Sequence, residues 1–420
     1  MQLREKLAGA GVGLAIVIAA IAACRSTDDP LEGTPQGNTS TSSSSTSGNA
    51  SSGGADAAGL PSGDIECGAA PTGGAFSKQA LLGAAADCAA WHSCQLVNAA
   101  SALRKAVHEN GDRQAAWKVA MDSASRLEGF RFGPWASKGV DPYHGRGLRS
   151  FVHAWPDINR CEVEKQVALR DYEKGWNLTF PSGRGLFGLE VLFFYEGADT
   201  ACLPNSATGQ KWAASSPAEL TAGKEAYAKA LADNILAVAV EARNVYLPVA
   251  EGGEGFKEKL LAAQGYGSEQ EALNVVGWSL FYPEGEIKDD KLAALAGITG
   301  ATAANRETPF AKVDIENIRT NLRAFRSLFQ GCGEGGAGLG FDDWLTEAGH
   351  QQLANDMLTA LAKAEAAAAA FPPFDQASQA QFKTFYDEVK PLSDLIKGSM
   401  FGSGSPLNLK LPASAASDTD

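Results

Sequence analysis

The chain has 420 residues, 45% hydrophobic and 20% charged, with a formal net charge of −13. This composition suits a soluble body with room for two domains and excludes a polytopic membrane protein or a wholly disordered chain. The negative balance argues against nucleic acid as a partner, and five histidines with four methionines leave little for a multi-histidine or soft metal site.

The N-terminus reads as an export signal. Arg4 and Lys6 precede an uncharged apolar run, Leu7 to Ala23, which at 17 residues is short for a transmembrane span. Ile21-Ala22-Ala23-Cys24 fits a bacterial lipobox, in which the Cys24 thiol receives a diacylglyceryl group and the chain is cut before it. An uncleaved anchor is the alternative. Cys24 is followed by Arg25 rather than aspartate. By resemblance to enterobacterial sorting rules, that favours the periplasmic face of the outer membrane. Loss of residues 1–23 removes Arg4, Glu5 and Lys6 and takes the net charge to −14.

Residues 24–75 are expected to be a tether. From Thr41 the chain is almost entirely Ser, Thr, Gly, Ala and Asn, which cannot bury enough apolar surface to offset the entropy of ordering it. Fifty such residues reach roughly 40 Å, enough to hold a folded body clear of a lipid surface. Six cysteines follow: Cys67, Cys88, Cys94, Cys161, Cys202 and Cys332. In an exported chain this even number suggests disulfides, with about fifteen possible pairings. Cys88 and Cys94 should point to different faces of one helix and are not expected to join. No CxxC spacing points to a zinc ribbon.

Residues 76 to about 401 carry helical periodicity. Leu231, Ile235, Val238, Ala242 and Val245 form one apolar stripe. Ile315, Ile318, Leu322, Phe325 and Phe329 form a second, and Phe382, Phe385, Val389, Leu392 and Ile396 a third. Further helices are predicted over 77–109, 112–129, 158–174, 184–196, 254–264, 268–281 and 349–370. Pro217 and Pro248 punctuate the long helix between them. Loops fall at 130–157, 197–216, 297–311 and 331–340, and no run alternates as a strand. The fold class is all-α, with two four-helix-bundle-like domains over 76–210 and 211–405 and a tail over 406–420.

Two acids break the apolar pattern. Glu190 is the one charge in Leu186–Tyr195, with Leu186, Phe187, Phe193 and Phe194 at its helical neighbour positions. Glu128 continues the stripe Trp117, Met121, Ala124. A carboxylate buried there must be protonated, paired with a cation or bound to a metal. Arg131 and Arg184 are the candidate cations, and a core in which they simply pair with the two acids is the structural alternative. In His153-Ala154-Trp155-Pro156-Asp157, Asp157 suits the cap of a helix starting at Ile158, and Trp155 suits a packing anchor.

At these residues the sequence resembles the imelysin-like family of bacterial envelope proteins. The likeness runs over about 76–400. It rests on Leu127 to Pro134 (LEGFRFGP), Trp155-Pro156-Asp157, Arg184 to Glu190 (RGLFGLE), Glu307-Thr308-Pro309-Phe310, Asn321-Leu322-Arg323 to Leu328, and Pro391 to Leu395 (PLSDL). The resemblance implies two helical bundles facing each other across a groove, in an exported protein associated with iron acquisition. Some relatives are described as metallopeptidases and others as iron-regulated proteins. The family's metal motif, Gly-x-His-x-x-Glu, maps onto Gly185 to Glu190, with Phe187 where the histidine belongs.

Phenylalanine cannot coordinate a cation, and no HExxH occurs, since His108-Glu109 is followed by Asp112. A hydrolytic zinc site needs three protein ligands and an open position, so the sequence counts against peptidase chemistry. The expected function is a non-catalytic binding lipoprotein, anchored in the membrane through Cys24 and working with an iron-uptake system. Its expected groove comprises Glu128, Arg131, Trp155, Asp157, Arg184 and Glu190. Glu128 and Glu190 are candidate oxygen ligands for iron or another divalent or trivalent metal. A family metallopeptidase and a metal-free structural or interaction module are the alternatives.

Overall fold

The computed structural model describes residues 60–61, 63–176, 180–301 and 306–416. The signal, Cys24 and most of the tether lie outside the described residues. Among those residues there is no strand, only a bridge between Phe401 and Leu409, and no helix long and apolar enough to cross a membrane.

Twelve helices carry the architecture: α1 (Lys78–His108), α2 (Arg113–Leu127), α3 (Arg160–Leu169), α4 (Gly185–Phe194), α5 (Ala207–Ala214), α6 (Pro217–Tyr246), α7 (Phe256–Leu261), α8 (Glu269–Trp278), α9 (Asp314–Phe329), α10 (Phe341–Glu347), α11 (Gln351–Ala370) and α12 (Gln379–Leu395). A π-helix, Pro283–Ala293, lies between α8 and α9. The starts follow cap chemistry. The side chains of Ser77, Asp112, Asn159, Ser206, Ser216, Ser268 and Ser378 each accept a first-turn amide, and Ser216 with Glu219 and Ser378 with Gln381 close capping boxes. The cap of α3 is Asn159 rather than Asp157, because the chain becomes helical two residues later than expected and leaves Asp157 exposed.

All fifteen residues of the three apolar stripes are buried. Their burial divides the helices into two packed groups. The long helices α1 and α6 lie against each other, with α2 and α4 closing that group; α9, α11, α12 and the π-helix form the other. The expected boundary at 210/211 places α6 in the second group, whereas α6 packs against α1, α3 and α4. The short helix α5, just before α6, packs on α3.

The ends of the folded region are stitched down. Ile65 N–H donates to Asn98 Oδ1 at 2.8 Å, and Cys67 is bonded to Cys94, so the last part of the expected tether lies on α1. At the other end Leu407 and Leu409 are buried, and Trp278 Nε1 donates to the Lys410 carbonyl, so 406–416 packs on α8. Cys161–Cys202 ties α3 to the loop between α4 and α5, and Cys88–Cys332 closes a separation of 244 residues between α1 and the segment just past α9. Cys88 and Cys94 are not joined to each other.

The two groups meet where α2 touches α9. Gly129, just past α2, permits that contact: a Cβ there would stand 2.7 Å from Ala324 Cβ and 2.9 Å from the Ala324 carbonyl carbon. Two helical backbones cannot give way as a flexible side chain can. Gly129→Ala is expected to lower stability by about 1–3 kcal/mol, read as a lower urea midpoint with an unchanged m-value. An unaltered midpoint would mean the junction is looser than its geometry.

Candidate functional site

Behind Gly129, side chains from six segments converge: the end of α2, the 148–155 loop, α4, the π-helix, the 306–311 loop and α9. The fold brings them together through backbone constraints. Gly185 sits at φ +65°, and a Cβ there would meet the Val152 carbonyl oxygen at 2.5 Å. Leu186 N–H donates to that same carbonyl at 2.9 Å, and Trp117 Nε1 donates to the Leu186 carbonyl at 2.7 Å. These contacts fix the start of α4 between α2 and the 148–155 loop.

Glu128 is fully buried, as its place in the stripe requires, but its cation is neither Arg131 nor Arg184. Arg149 Nε donates to Glu128 Oε2 at 2.6 Å. Burial raises the Glu128 carboxyl, yet the charges around it, Arg149 foremost, outweigh that and hold it below the usual range. Arg131 pairs directly with Glu286 of the π-helix. Arg184 lies between the rings of Phe151 and Trp176 and donates to Asn234 Oδ1 at 2.7 Å, so it meets neither glutamate.

The second buried carboxylate of this network belongs to Glu307. His153 Nε2 lies 3.0 Å from Glu307 Oε1, and Lys291 Nζ donates to Glu307 Oε2 at 2.8 Å. Burial would raise this acid too; the Lys291 charge and the His153 hydrogen bond bring it down to about 2. Lys291 also donates to Asn321 Oδ1 at 2.9 Å and lies 5.0 Å from the Trp155 ring centre, which makes Trp155 a buried cation–π partner as well as an anchor. Asn321 Nδ2 in turn donates to the Ser125 carbonyl of α2.

His153 therefore links the two acids. A carboxylate only accepts, so the imidazole carries its proton on Nε2 toward Glu307. Its Nδ1 faces Arg149 Nη2 at 3.4 Å and lies 3.7 Å from Glu128 Oε2. The Phe187 ring packs edge-on against the His153 ring at 5.0 Å. The side chain at the family's histidine position thus buttresses another histidine instead of offering a ligand.

Glu190 is buried as expected but has no cation. Its Oε1 accepts the amides of Phe310 and Ala311, both at 2.9 Å. Burial pushes its carboxyl up to about 8; the two amides oppose this, and the negative charges of Asp314 and Glu307 add to it. At neutral pH Glu190 is mostly a neutral acid clamping the 306–311 loop. Asp314 braces the same loop by accepting the Thr308 amide at 3.2 Å and pairing with Arg306.

Glu128, Arg131, Trp155 and Glu190 fall in or beside this cluster; Asp157 is exposed and Arg184 stands apart with its aromatic partners. Arg149 and Lys291 were not legible in advance. Arg149 sits in a 3-10 turn and Lys291 in a π-helix, where no apolar stripe marks the inward side. Glu307 was visible only as part of a motif.

These residues do not fit a bare metal ion. Both Glu307 oxygens, both His153 nitrogens and Glu128 Oε2 already have partners, and Glu190 Oε1 holds two amides. Glu128 Oε1, buried without a hydrogen-bond partner, is one remaining donor atom. Iron or zinc needs several. Arg131, Arg149 and Lys291 also match the charges of Glu128, Glu286 and Glu307, leaving no negative surplus for a multivalent cation.

Two outcomes follow from this wiring. Arg149→Ala strands the Glu128 charge and should cost about 3–5 kcal/mol in chemical denaturation, with Arg149→Ala/Glu128→Gln recovering much of the loss. A single variant as stable as the parent would contradict the pairing. For Glu190 the folded state holds the proton between the ordinary value near 4.5 and about 8, so its contribution to stability is greatest below 4.5 and is lost as pH rises to 8. Glu190→Gln should therefore gain a few kcal/mol on the parent at pH 9 relative to pH 4. Parallel stability–pH curves for the two proteins would refute the assignment.

The comparisons with known proteins bear on the family and the fold. The profile of the Imelysin family (peptidase M75) matches residues 84–396. No curated protein sequence matches the chain. Among solved structures, an imelysin-like protein from Psychrobacter arcticum 273-4 superposes with a TM-score of 0.55 at 15% identity, covering 78% of this chain and 96% of that one. A protein of Parabacteroides distasonis ATCC 8503, provisionally named iron-regulated protein A precursor, gives 0.54 at 14% identity with the same coverage. Similarity at that level shows the fold, and the profile match over most of the sequence shows the kinship: the chain belongs to the imelysin family.

Proposed function

We propose that this protein is a non-catalytic binding lipoprotein of the cell envelope that serves iron acquisition. In this reading Cys24 carries the lipid, the Ser/Thr/Gly-rich segment is the tether, and the helical body is held at the periplasmic face of the outer membrane. The iron-regulated name of the Parabacteroides neighbour supports the physiological setting. The observation that carries the non-catalytic part is Phe187. It stands at the motif's histidine position and packs on His153, while His153 and Glu307 are bonded to each other.

Hydrolysis needs a base with a free lone pair and a polarised water within reach of it. Glu190, protonated near neutrality and bonded to two amides, supplies no such base. Iron in this reading is handled as a surface-bound cargo or through a partner of the uptake system. The orphaned Glu128 Oε1 beside His153 is the observation that favours a metal-dependent reading instead, and using it would require Arg149 to swing away.

The mature chain is expected to leave an unstructured peptide uncut, with or without zinc. Ferric iron titrated by calorimetry should show no tight site that depends on Glu190. Peptide turnover abolished by Glu190→Ala would overturn the non-catalytic reading, and a one-to-one ferric site abolished by Glu190→Gln would overturn the assignment of Glu190 as a metal-free clamp of the 306–311 loop.

A further inference from the structure

A second buried group lies on α1, outside the network described above. Cys88 and His92 are one turn apart on the same face of the helix, and Cys332 reaches them from just beyond α9. Both sulfurs and a ring nitrogen of His92 lie within 4.8 Å of one another, and all three residues are buried. The two cysteines form a disulfide, so neither sulfur is a strong ligand in this state.

His92 is the unexplained member. Neither ring nitrogen has a hydrogen-bond partner, although the side chain is 3% exposed. Its ring is held between Trp91, 4.9 Å away centre to centre, and Phe130, 5.2 Å away. A buried imidazole with neither nitrogen satisfied costs free energy that a phenylalanine of similar shape would not. Placing its nitrogen beside two sulfurs gives that cost a use.

We propose that the Cys88–Cys332 disulfide is the closed form of a metal site, which opens to a two-thiolate, one-imidazole site for a zinc-class cation. The disulfide takes two electrons and two protons from a dithiol reductant, which itself becomes a disulfide, and leaves two thiols. The cation then displaces both thiol protons and is held by the Cys88 and Cys332 thiolates and the His92 nitrogen. Two thiolates against a divalent cation make a neutral unit, as apolar surroundings require. Tetrahedral zinc spaces its ligands by roughly 3.5–3.8 Å. The bonded sulfurs must therefore part on reduction, while the three donors are already clustered within 4.8 Å. The i, i+4 pair on one helix face fixes two ligands, and the fourth coordination position stays open.

The test uses the full chain, oxidised or reduced with a dithiol, titrated with cobalt(II) as a spectroscopic stand-in for zinc, with helicity followed by circular dichroism. The reduced, still helical protein should show a thiolate-to-cobalt charge-transfer band at one equivalent, displaced by zinc and absent from the oxidised protein. The band should be missing in Cys88→Ser/Cys332→Ser. His92→Phe, which preserves the packing with Trp91 and Phe130, should weaken cobalt binding by at least about ten-fold, since losing a ligand costs no less than losing its support. The same band in the double-serine variant, an unweakened band in His92→Phe, no band in the reduced protein, or loss of helix on reduction before metal is added would each overturn the proposal.

Discussion

The interaction on which the site depends is the ion pair between Glu128 and Arg149, made at the inner end of α2 where the two helical groups touch. A carboxylate removed from water there is tolerable only with a cation at hydrogen-bonding distance. That requirement brings the 148–155 loop inward. Once Arg149 is seated, its guanidinium also reaches the Trp155 carbonyl at 2.9 Å, and His153 is carried to Glu307. Glu307 then draws Lys291 in from the π-helix, and Lys291 reaches Asn321 on α9. One buried charge thus specifies how five segments meet.

In the non-catalytic reading proposed above, the same wiring sets the charge state of the site. Here two acids are drained by cations and the third is neutralised by burial. Phe187 adds a hydrophobic wall where a ligand would otherwise enter. The resulting arrangement is a polar keystone that gives up hydrophobic packing for a unique junction, a trade that buried networks make when register matters more than raw stability.

How far this could be read in advance depends on what each residue's neighbours reveal. The helices and the burial of Glu128 and Glu190 followed from spacing alone, because an amphipathic stripe states which side faces inward. The counter-ions did not. Arg131 and Arg184 were near in sequence, yet the cation that matters, Arg149, lies 21 residues from Glu128 in a 3-10 turn with no periodicity to betray its direction. Lys291 was hidden for a related reason: the i→i+5 repeat of a π-helix turns side chains off the usual stripe. The neutral state of Glu190 was one of three options, and it is separated from the others by burial that outweighs the Phe310 and Ala311 amides on its Oε1. The expected boundary at 210/211 falls before α6, which packs on α1 of the first group.

The central claim is that the buried polar cluster leaves too few free donor atoms, Glu128 Oε1 among them, to hold a metal. Nitrogen-15 NMR of the His153 ring measures this most directly, because that imidazole faces both acids and would be the first group a cation engaged. The account predicts a proton on Nε2, an unprotonated Nδ1, and resonances that do not move when zinc is added in excess at neutral pH. A zinc-dependent shift of either nitrogen, or a proton residing on Nδ1 instead, would contradict it.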